Sequence, residues 1–180
     1  GGDLAIGAMA TISSISMIFL MPSLGISQGM QPIVGFNYGA RKYDRAKKTL
    51  SICILASACI FTAGYLVVQF APEVLVGMFN NDPKLMGITI NGLKKYTMVL
   101  PLLSIAIIGT SYIQSIGKAK VSLTLSLLRQ FIFLIPSLII LPKFLGLNGV
   151  WFAQPLSDFF ATLIVLMTII KEVKSYSEEE

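Results

Sequence analysis

From Leu4 to Ala40 the chain carries no charged residue, and the run then ends in Arg41-Lys42-Tyr43-Asp44-Arg45-Ala46-Lys47-Lys48. As one helix it would be roughly 55 Å long at about 1.5 Å per residue. The hydrocarbon core of a bilayer is only about 30 Å thick, so such a helix must cross it and continue, or bend within it. Pro22, Gly25, Gly29 and Pro32 predict interruption, and Gln28, Gln31 and Asn37 place amides inside the apolar stretch. A membrane helix that is broken and polar points to a transport element rather than a simple anchor.

The rest of the chain has the same character. Hydrophobic residues make up 54% of it and charged residues 13%, about half the charged share of a soluble domain. An integral membrane protein follows. The chain opens on Gly1-Gly2-Asp3, with no initiator Met and no basic segment of the kind that leads a secretory signal. The expectation is a piece of a longer protein. The net charge of +5 sits between apolar runs rather than on one soluble face, so the basic residues predict membrane topology and not a nucleic-acid partner. Cys53 and Cys59 share one apolar run and read as small hydrophobes. There is no His, which removes the commonest metal ligand and general base. No metal site, cofactor or catalytic residue is expected, and the chain does not read as an enzyme.

The hydropathy pattern predicts an all-α, polytopic bundle of five membrane helices, at about 4–38, 49–72, 92–117, 119–141 and 149–170. An odd number of spans puts the chain ends on opposite sides. Arg41, Lys42, Arg45, Lys47 and Lys48 then share a side with Lys118, Lys120, Lys171 and Lys174. The heavier Lys/Arg side belongs in the cytoplasm, which places the C-terminus there in a multi-pass protein of the cell membrane. The acidic Glu178-Glu179-Glu180 does not change this assignment, because acidic residues count little in it. Asn80-Asn81-Asp82-Pro83 and Gly146-Leu147-Asn148-Gly149 read as turns on the opposite side.

Polar residues recur at helical spacing within each span, which directs them toward other helices or a watery cavity. The second span offers Ser51, Thr62, Tyr65 and Gln69; the third Thr97, Ser104, Ser111 and Ser115; the fourth Ser122, Ser126, Arg129, Gln130 and Ser137. In the fifth, Gln154, Asp158 and Thr162 follow at i, i+4. Close helix packing is the alternative explanation for each Ser or Thr. Arg129 and Asp158 are the costly residues, at least ~2.5–3.5 kcal/mol each at the bilayer centre. Arg129 lies roughly 16 Å along its helix from Lys118, and Asp158 roughly 13 Å along its own from Gly149, so both reach middle depth. The expectation is an intramembrane ion pair, either static or taking part in cation coupling.

Three stretches carry a family resemblance. The first is Gly25-Ile26-Ser27-Gln28-Gly29-Met30-Gln31-Pro32-Ile33-Val34-Gly35-Phe36-Asn37-Tyr38-Gly39-Ala40-Arg41 with the basic loop after it. The second is Gln114-Ser115-Ile116-Gly117-Lys118-Ala119 leading to Leu128-Arg129-Gln130. The third is Leu145-Gly146-Leu147-Asn148-Gly149-Val150-Trp151 leading to Gln154-Pro155-Leu156-Ser157-Asp158. In order and spacing the chain resembles the multidrug and toxic compound extrusion (MATE) family along essentially its whole length. The resemblance implies a twelve-helix antiporter of two lobes, with residues 1–180 forming part of the C-terminal lobe, about helices eight to twelve. It implies export of amphipathic organic cations in exchange for Na+ or H+ without ATP, with the N-terminal lobe as a missing partner. No phosphate-binding Gly-rich loop is present. The presumed tenth helix has no carboxylate, so Asp158 is chosen on its burial cost.

On this reading Gln28, Gln31, Asn37, Gln114, Gln130 and Gln154 line the cavity, and Pro22 and Pro32 kink the first helix. Met17, Phe19 and Met21 offer soft and aromatic contacts to flat cations, with lipid-facing packing as the alternative. The competing functions are a flippase for a lipid-linked saccharide, which needs more cations than Arg129 alone, and a structural membrane subunit. An intramembrane enzyme would need a nucleophile–base pair or a metal cluster that the sequence does not offer.

Overall fold

The computed structural model describes residues 2–80 and 82–177 and is built of helices throughout. The first is α1, Gly2–Gly39, followed by α2, Tyr43–Phe70. A short α3, Pro72–Gly77, precedes α4, Pro83–Tyr96, and α5, Leu103–Ser115. Next come α6, Ala119–Leu127, a π-helical segment, Leu128–Leu134, and α7, Ile135–Leu145. The last is α8, Leu147–Ser177. Gly2–Gly39, Tyr43–Phe70 and Ala119–Leu145 are each long and apolar enough to cross a membrane. Pro83–Tyr96 with Leu100–Ser115, bent by 45°, makes a fourth candidate. Five spans were expected; the fifth, 149–170, lies within the 31-residue α8.

Helix α1 runs without interruption for 38 residues and contains both Pro22 and Pro32. Each proline removes a single backbone bond while the turns on either side keep theirs. Arg41 at φ 56° ends the connection from α1 in the left-handed region. Its N–H bonds Tyr38 O at 3.0 Å and the Lys42 N–H bonds Asn37 O at 2.8 Å, a Schellman cap. Gly117 at φ 84° does the same after α5, with Lys118 N bonding Ile113 O at 3.2 Å. Here glycine supplies the conformation that Arg41 adopts at a steric cost.

The third span, expected over 92–117, is bent and begins earlier. It starts at Pro83, where the Asp82 side chain accepts from Lys84 N at 2.9 Å and caps α4. Helix α4 stops at Tyr96, and residues 100–102 form a 3-10 turn around Pro101. Proline lacks the N–H an α-helix needs and pushes the residue before it out of helical geometry. The expected turn at 80–83 includes Asn81, which lies outside the described residues, as do Glu178–Glu180. The other expected turn, 146–149, contracts to Gly146 at φ 56°. A Cβ on Gly149 would stand 2.4 Å from the carbonyl carbon and oxygen of Leu141, so only glycine lets α7 and α8 meet this closely.

Three apolar clusters hold the helices together. One joins Val34, Leu50, Ile113 and Ile169 of α1, α2, α5 and α8. A second gathers Ile12, Val76, Leu93 and Trp151. The third is Phe61 with Leu100, Leu103 and Ala106. Hydroxyl pairs stitch α1 to its neighbours: Ser23 with Ser57 of α2 at 2.7 Å, and Ser27 with Ser111 of α5. On the second span Ser57 is buried, Tyr65 and Gln69 are half-buried, and Ser51 and Thr62 are exposed.

Candidate functional site

The π-helical segment places Arg129 opposite α8. A π turn shifts the backbone register, so carbonyls near it lose their ordinary helical partners. The Ser157 hydroxyl donates to the Arg129 carbonyl oxygen at 2.9 Å. Its neighbour Asp158 receives the Arg129 guanidinium, Nη2 to Oδ1, at 2.9 Å. Asp158 is held from its own helix as well, because Gln154 Nε2 donates to both carboxylate oxygens at 3.2 Å. One turn further on, the Thr162 hydroxyl donates to the Asp158 carbonyl at 2.7 Å.

The two charges differ in surroundings. The Asp158 side chain is 9% exposed and that of Arg129 is 32% exposed. On one side of the pair is a cavity of about 450 Å³ between α5, α6 and α8, walled by Arg129, Gln114, Ser122 and Gln130. On the other is a small recess of about 40 Å³ that both charges border with Tyr96, Ser16 and Gln154. Arg129 thus borders both spaces, while Asp158 borders only the smaller. A second pair, Lys118 with Glu172, ties the α5–α6 turn to the far end of α8. Asp158, Thr162, Val165, Ile169 and Glu172 form one buried stripe along α8. Among the described residues, no three His, Cys, Asp or Glu side chains stand together as a metal site.

The sequence-selected residues fall into two groups. Arg129, Asp158 and Gln154 meet in the ion-pair cluster, and Gln114 and Gln130 line the cavity next to it. Gln28, Met17, Met21, Pro22 and Pro32 are exposed on α1, apart from that cluster. Gln31 and Asn37 are half-buried, and the Asn37 amide donates to Ile33 O at 2.8 Å. Phe19 does not share the exposed face of Met17 and Met21; it packs into the core against Gly64. Two positions apart on a helix is about 200°, so Phe19 cannot share the face of Met17 and Met21. Ser157 and Tyr96 were missed, since neither carries a charge and the π register that makes Ser157 useful has no sequence signature.

Helices long and apolar enough to cross a membrane pack around a buried ion pair beside a polar cavity, the build of a polytopic helical bundle. The MatE family model matches residues 2–140, and the chain belongs to the MATE family of multidrug transporters, which are not enzymes. Multidrug export protein MepA of Staphylococcus saprophyticus is 23% identical over 146 residues, 81% of this chain and 32% of that protein. The MATE multidrug transporter DinF-BH, whose structure was solved as a complex, is 34% identical, with a TM-score of 0.83 over 95% of this chain and 38% of that one. The bent form of the Vibrio cholerae MATE transporter VcmN is 22% identical, with a TM-score of 0.87 over 96% of this chain and 40% of that one. The chain therefore spans about a third to two-fifths of the length of these relatives.

Proposed function

We propose that this chain is the C-terminal-lobe portion, about helices eight to twelve, of a twelve-helix antiporter that exports amphipathic organic cations in exchange for Na+ or H+. The observation that carries the reading is the Arg129–Asp158 pair, a buried carboxylate whose counter-charge borders an open polar cavity. A carboxylate at this depth needs a cation beside it. Arg129 fills that role in the structure, and a proton or Na+ arriving at Asp158 would take it over. Gln154 keeps the carboxylate oriented while the partner changes. The π segment gives Arg129 a register that can return to α-helical pairing, a two-state element that ion binding can bias.

On this reading the exposed α1 face bearing Met17, Met21 and Gln28 turns toward the other lobe and contacts the exported cation. Phe19, packed against Gly64, lies off that face. The basic turn after α1 and the C-terminus face the cytoplasm. The test is dye efflux from cells expressing the whole transporter that contains this chain, with the Na+ and H+ gradients collapsed separately. Loss of efflux with one gradient names the coupling ion; efflux that survives the loss of both rejects antiport.

A further inference from the structure

We propose that the cavity beside Arg129 is a binding site for an anionic oxygen group, a carboxylate or phosphate carried by a ligand. This goes beyond cation export and does not depend on which ion drives it. Among the described residues lining this cavity, Arg129 is the only charged one, and no carboxylate borders it. Asp158 lies beyond the guanidinium, in the smaller recess, so the cavity meets the positive end of the ion pair.

The free donors point to the same chemistry. A guanidinium has five N–H donors, and the contact to Asp158 runs from Nη2. The Gln114 and Gln130 amides have no protein partner among the described residues, nor does the Ser122 hydroxyl. Other hydroxyls around the cavity are already committed: Thr110 donates to Ala106 O at 2.6 Å and Ser126 to Ser122 O at 3.1 Å. What remains unpaired is one guanidinium edge, two amides and one hydroxyl, a donor set that suits oxygen lone pairs. Arg recognises planar carboxylates and phosphates through its fork of N–H groups. A volume of about 450 Å³ lies in the range of small-molecule sites, so the charged group can belong to a larger ligand.

Equilibrium dialysis of radiolabelled benzoate against the whole purified transporter tests the assignment, with benzamide as the neutral isostere and inorganic phosphate as competitor. Benzoate is expected to bind saturably and at least tenfold more tightly than benzamide. Arg129→Gln combined with Asp158→Asn removes both charges and is expected to weaken benzoate at least tenfold. Gln114→Met with Gln130→Met leaves the ion pair in place and is expected to weaken benzoate several-fold. Displacement by phosphate assigns the site to oxyanions in general; benzoate binding unmoved by phosphate restricts it to carboxylates. Equal affinity for benzamide, benzoate binding unchanged in both double variants, or no binding of benzoate and phosphate overturns the proposal.

Discussion

Replacing Arg129 should cost this protein more than replacing Asp158, although both changes remove the same ion pair. Arg129→Gln strands a carboxylate whose side chain is 9% exposed and whose remaining side-chain hydrogen-bond partner is Gln154. Breaking a buried pair from one side costs about 3–5 kcal/mol, and this variant belongs near that range. Asp158→Asn leaves Arg129 with a side chain 32% exposed, beside a cavity of about 450 Å³ that can hydrate it. Its cost should be closer to ~1–2 kcal/mol, the loss of one charge-assisted hydrogen bond. The double variant should lose less than the two singles added together, by about 1–3 kcal/mol of coupling. Thermal or denaturant midpoints in detergent measure all three variants. Equal losses in the two singles would refute the reasoning.

Other substitutions test the frame that positions the pair. Gly117→Ala should destabilise by about 1–2 kcal/mol, because it forces a Cβ into the left-handed cap. Arg41→Gly relieves the same strain and should leave stability equal or slightly higher, read by the same midpoints. Gly149→Val drives side-chain atoms into the Leu141 backbone and should cost about 3 kcal/mol or more, seen as reduced membrane expression and a lower midpoint. Ser57→Val strands the Ser23 hydroxyl and should cost about 1–2 kcal/mol, while Ser51→Val, on the exposed face, should be silent.

What could be read in the sequence was set by cost. Arg129 and Asp158 stood out because a charge in hydrocarbon is expensive enough to demand a partner, and counting residues from the basic turns brought both to one depth. The Gln28-Gly29-Met30-Gln31-Pro32 stretch identified the family without any structure. Features decided by differences of about a kcal/mol were not readable. Pro22 and Pro32 sit inside one continuous helix, whereas α4 ends at Tyr96 and the turn at 97–99 precedes Pro101. Ser51 and Ser57 are equally polar, and only the packing of α2 on α1 decides which is buried. Helical geometry puts Phe19 on another side of α1 from Met17 and Met21. The π segment carries no motif, so the way Ser157 supports Arg129 appeared only in three dimensions.

The most direct test of the central claim, that Asp158 links ion movement to export, uses the charge-free double variant Arg129→Gln/Asp158→Asn. The whole transporter carrying it is placed in liposomes, and dye movement is followed after an imposed Na+ or H+ gradient. The account predicts a folded protein that still binds dye but no longer responds to either gradient. Gradient-driven transport at the unmodified rate would contradict it.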